Sequence, residues 1–88
     1  MRTDIPWEPF LKHYKPILAI MGKIVEERER GNSYDIILVP DNASELHGAV
    51  VMDCNVVHDP NIWDEHMYLM NTKLTWPPVT VAKDIVCA

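Results

Sequence analysis

Phe10, Tyr14, Ile17, Met21 and Ile24 recur every three or four residues, and Leu11, Leu18 and Val25 stand beside them at intervals of seven. That period is one apolar stripe along a helix. Thr3 or Asp4 is placed to cap its start, and Pro6 suits its first turn. Pro16 interrupts the stripe, because proline lacks a backbone donor and its ring clashes with the preceding turn. The expectation is a short helix, a kink or break near Lys15–Pro16, and then a longer helix. Glu26 to Arg30 reads as its charged, exposed end, and Gly31-Asn32 as its stop.

Beyond Asn32 the pattern changes to short β-branched runs between turn residues. Tyr34–Val39 reads as a strand. Asp41–His47 reads as a polar loop. Gly48–Val57 reads as a second strand, with Val50, Met52, Cys54 and Val56 pointing one way and Asp53 and Asn55 the other. His58–Asn61 is a turn, and Ile62–Glu65 suits a single helical turn. His66–Trp76 is a third strand carrying Tyr68, Met70, Leu74 and Trp76 on one face, stopped by Pro77-Pro78. Val79–Val86 is a fourth, weaker strand suited to a sheet edge. The order predicts an α+β fold: a kinked helix or helix pair packed on a three- to four-stranded, mainly antiparallel sheet. Short connections favour a meander.

The 88 residues are enough for a single domain spanning 1–88, with 48% hydrophobic and 24% charged residues as in an ordinary globular chain. The net charge of −5 argues against nucleic acid as a partner, because binding a phosphate backbone needs clustered Lys and Arg. The acidity is uneven: residues 1–33 carry six basic against five acidic side chains, whereas residues 34–88 carry two against eight. Such an acidic half favours a partner with a basic surface and also aids solubility. No apolar run resembles a signal peptide or a membrane span, so the expected location is cytoplasmic, without membrane association. Cys54 and Cys87 are too few for a disulfide framework. One bridge between them stands beside the simpler alternative of a core thiol and a terminal thiol.

The densest polar stretch is His58-Asp59-Pro60-Asn61-Ile62-Trp63-Asp64-Glu65-His66. Cys54, His58, Asp59, Asp64 and His66 are zinc ligand types, but no paired Cys-x-x-Cys or His-x-x-x-His spacing accompanies them. Asp64 or Glu65 beside a histidine also suits proton transfer. Cys54 has no activating neighbour and keeps phase with Val50 and Met52, which is a core pattern. No phosphate loop or dinucleotide fingerprint occurs. The sequence thus predicts no catalytic, metal or cofactor residues.

Trp7, Trp63 and Trp76 lie at element ends, where a tryptophan either seals a small core or anchors a partner. Trp63 is the first choice as an exposed anchor. Asp59, Asp64, Glu65 and His66 would form its rim, giving an aromatic centre with a polar surround.

The lines Ile36-Ile37-Leu38-Val39-Pro40, Leu46-His47-Gly48-Ala49-Val50-Val51-Met52 and His66-Met67-Tyr68-Leu69-Met70 resemble the N-terminal half of a GNAT-type acyltransferase domain, as in small phage-encoded versions. The likeness covers roughly residues 5–76. In that family an Arg-Gly-x-Gly-x-Gly/Ala loop then holds acetyl-CoA. Here Leu74-Thr75-Trp76 runs into Pro77-Pro78-Val79, and no glycine follows Gly48. The resemblance therefore implies a truncated acyltransferase-like domain and assigns no catalytic residue.

The leading expectation is a small acidic, non-enzymatic protein-binding module, of the kind phage or mobile elements use as accessory or inhibitor proteins that cover a partner surface. The alternatives are the acyltransferase fragment and a structural subunit of a homo-oligomer, joined through its fourth strand.

Overall fold

The computed structural model describes residues 2–64 and 66–71, and the backbone of 83–86. The chain starts with helix α1, Trp7–Lys12, followed by helix α2, Tyr14–Glu29. The break falls at His13, whose backbone is non-helical at φ −122° and ψ 27°, and not at Lys15–Pro16. The cause is still Pro16. Its ring excludes the carbonyl of Lys12 one turn earlier, so the helix ends there and restarts. Pro16 then occupies the first turn of α2, where an N–H would have no partner within the helix.

Neither Thr3 nor Asp4 caps α1, which begins at Pro6 without a side-chain cap. Residues 2–4 form an arm along the sheet instead. Asp4 and Val50 exchange backbone hydrogen bonds of 2.7 and 2.9 Å. Thr3 Oγ1 accepts from the Met52 N–H at 3.0 Å.

At its far end α2 closes with Gly31 in the left-handed region at φ 86°. The Gly31 and Asn32 N–H groups bond back to the carbonyls of Arg28 and Glu27 at 3.0 and 2.9 Å. That paired geometry satisfies carbonyls the helix would leave open. The charged end is not wholly exposed, because Glu27 is completely buried.

Strand β1 spans Ile36–Val39, and Asp41–Leu46 forms a short 3-10 helix where a loop was expected. The segment read as one strand, Gly48–Val57, is a hairpin of β2, Val50–Val51, and β3, Cys54–His58. Met52 and Asp53 make its two-residue turn at φ 50° and 67°. Positive φ at both positions matches the twist of the flanking strands. Both residues of β2 are consequently buried, which strict alternation did not predict. Residues 60–64 form turns and bends without a helical turn. Strand β4 covers His66–Met70 and β5 Lys83–Val86. Trp76, the Pro77-Pro78 stop, residues 79–82 of the expected fourth strand, Glu65 and Cys87 lie outside the described residues.

The strands form one sheet in the order β2-β3-β1-β4-β5. Three pairings are antiparallel, but β1 and β3 run parallel, with Ile37 opposite Val56. The sheet is therefore mixed and is not a meander. Residues 40–53 supply the crossover a parallel pair requires, using the 3-10 helix and β2 in place of a long helix. Ile17, Ile20 and Ile24 of α2 pack on Ile37, Val39, Cys54, Val56, Met67 and Leu69 to form the core. In β4 the inward residues are thus Met67 and Leu69, while Tyr68 and Met70 alternate with them and are half-buried. Leu11, Leu18 and Val25 do not join the core and remain exposed.

Candidate functional site

Two neighbouring features concentrate polar chemistry at the end of the sheet where β1 and β3 finish. The first is the loop from Asp59 to Asp64. Its base is fixed by the Asp59 N–H, which donates to the Val39 carbonyl at 3.0 Å. Asp59 Oδ1 accepts from the Asn61 N–H at 2.9 Å, closing a local turn that suits Asp before Pro. On the far side the His66 N–H donates to the Trp63 carbonyl at 3.3 Å. The loop is thus tied by backbone bonds on both sides while the Trp63 side chain projects outward, 77% exposed. Asp64 is also exposed, and Asp59 and His66 are half-buried. Glu65 lies outside the described residues.

The second feature surrounds the 3-10 helix. His58 Nε2 meets Asp41 Oδ1 at 2.6 Å, and His13 Nε2 meets Glu45 Oε1 at 2.7 Å. The His58 N–H donates to His47 Nδ1 at 3.1 Å. Lys12 Nζ lies 3.2 Å from Glu45. The His13 hydrogen bond first, and Lys12 second, hold the Glu45 carboxyl below the usual carboxylate range. A cavity of about 130 Å³ opens between the start of α2 and the 3-10 helix, lined by His13, Pro40, Asn42 and His66 among others. All four histidines of the chain therefore stand at this end of the fold.

The arrangement can hold protons between imidazole and carboxylate. Among the described residues it presents no cysteine nucleophile: Cys54 is fully buried, its Sγ donates to the Tyr34 carbonyl at 3.2 Å, and burial pushes its thiol up. A thiol in that state is inert. Among the described residues no three His, Cys, Asp or Glu side chains converge as metal ligands. His58 is engaged by Asp41.

The sequence singled out the Trp63 loop but missed His13, Asp41, Glu45 and His47. Asp41 and Glu45 stand four apart within what read as a plain polar loop. The shape of the 3-10 helix alone directs them to separate histidines. No family model, curated protein or solved structure matches this chain.

Proposed function

We propose that the chain is a non-enzymatic binding module that covers a protein partner through the β3–β4 loop, with Trp63 as its anchor. The supporting observation is the 77% exposure of Trp63 on a loop tied down at both sides. A large exposed aromatic on a pre-ordered loop loses little conformational freedom on docking, and Trp is the residue most enriched at interface hot spots. Asp59 and Asp64 flank it, so the complementary partner surface is basic.

Native mass spectrometry of the protein isolated from its producing cells tests the reading. The expected result is a stoichiometric complex with one protein. Trp63→Ala weakens that complex by about 2 kcal/mol, roughly thirtyfold in Kd. Trp7→Ala, which alters the other exposed tryptophan among the described residues, leaves it intact. A chain isolated without a protein partner, or a complex indifferent to Trp63→Ala, overturns the proposal.

A further inference from the structure

Helix α2 carries a second apolar line besides the one facing the core. It consists of Leu18, Gly22 and Val25, with Lys15 and Glu29 bounding it at the same spacings of three and four, and all five residues are exposed. Leu18 is 55% and Val25 43% exposed. In α1, Leu11 continues the same spacing and is half exposed. A 3-4 repeat of this kind is the seam along which two helices pack. It is separate from the core line of Ile17, Ile20 and Ile24.

Gly22 sits at the middle of the seam. A Cβ built there meets nothing within 4 Å, so no contact among the described residues calls for glycine. A mid-helix glycine is unfavourable relative to alanine. Its use is close approach of another backbone from outside. Lys15 and Glu29 stand seven residues to either side of Gly22. Among the described residues neither has an ion-pair partner, whereas Lys12, Lys23 and Arg30 on the same helices are each paired.

We propose that this face binds a second copy of the chain, the two α2 helices packing antiparallel about a two-fold axis at Gly22. Self-complementarity points to that occupant. A two-fold axis at Gly22 carries Lys15 of each copy to Glu29 of the other. The two ion pairs then lie about 10 Å on either side of the axis, at the rise of an α-helix. Leu18 of each copy packs beside Val25 of the other, and the facing glycines let the backbones approach. The apolar area offered is on the order of a few hundred Å², so the dimer is weak and reversible.

Sedimentation equilibrium of the whole chain over a range of concentrations is the test. The expected result is a monomer–dimer equilibrium. Leu18→Glu abolishes dimer formation, with an unchanged circular dichroism spectrum because the site is exposed. Lys15→Glu and Glu29→Lys each weaken the dimer by about tenfold or more, since like charges then face each other across the axis. The double variant restores it. Gly22→Ala raises the thermal stability of the monomer yet weakens the dimer. A chain that stays monomeric at millimolar concentration overturns the proposal. A dimer that survives Leu18→Glu, or a charge swap that fails to rescue, places the contact elsewhere and overturns it equally. Trp63→Ala leaves this equilibrium unchanged, which separates it from the partner reading.

Discussion

Glu27 shows how much one residue can depend on its neighbours. Its side chain is completely buried, and Asn32 Nδ2 donates to Oε2 at 2.9 Å while Arg30 approaches within 3.9 Å. Burying a carboxylate is tolerable only when hydrogen bonds and charges compensate for lost water. Asn32 also closes the helix through its backbone, so one residue serves both ends of the arrangement. Asn32→Ala is expected to lower stability by about 2 kcal/mol, the usual cost of removing a donor from a buried charge, and a urea midpoint measures it. Asn32→Asp costs more, because it sets a second negative charge beside the first. Glu27 was not legible in the sequence. It stands in Glu26-Glu27-Arg28-Glu29-Arg30, where composition says solvent, and only its position one turn after Ile24 hinted otherwise. Trp63 was legible, because a tryptophan between turn residues has few places to hide.

At the level of elements, pattern and topology parted company. Helix α2, β1, β4 and the β5 edge were legible because their periods of 3.6 and two are local properties. The β2–β3 hairpin was not. Its turn uses Met52 and Asp53, and Met carries none of the chemistry that usually announces positive φ. The parallel pairing of β1 with β3 was also hidden, since pairing is decided by contacts distant in sequence. The candidate site divides the same way: the loop could be read, but the histidine–carboxylate pairs needed the 3-10 helix to bring Asp41 to His58 and Glu45 to His13. That helix also links to the α1–α2 junction through Glu45, and this link depends on pH. The Glu45 carboxyl has its folded pKa lowered, so its stabilising effect is complete above the ordinary glutamate pKa. It disappears as pH falls through the lowered folded value. Thermal melts from pH 7 down to pH 3 should show wild type losing stability over that acid window. Glu45→Gln should lose less there, because it has nothing to protonate.

Over the whole molecule, β1 is the organiser. It pairs with β3 on one side and β4 on the other, and α2 covers its inner face. Opening its ladder requires both neighbours to separate, so its amides report global unfolding. Hydrogen exchange should find the paired amides of β1 the slowest in the chain. Those of β2, which contributes only two residues, should exchange through local opening well before. Equal protection in β1 and β2 would contradict this division.

The central place of β1 also has a consequence for synthesis on the ribosome. Val39 is made before any strand that will flank it, and β4 begins only at His66. At ordinary elongation rates of about 5–20 residues per second, the apolar Ile36–Val39 segment waits on the order of seconds for its second neighbour. Helix α2 precedes β1 in the chain, so Ile17, Ile20 and Ile24 are already available when that segment emerges. The order of elements gives the nascent strand an intramolecular cover before it can meet another chain.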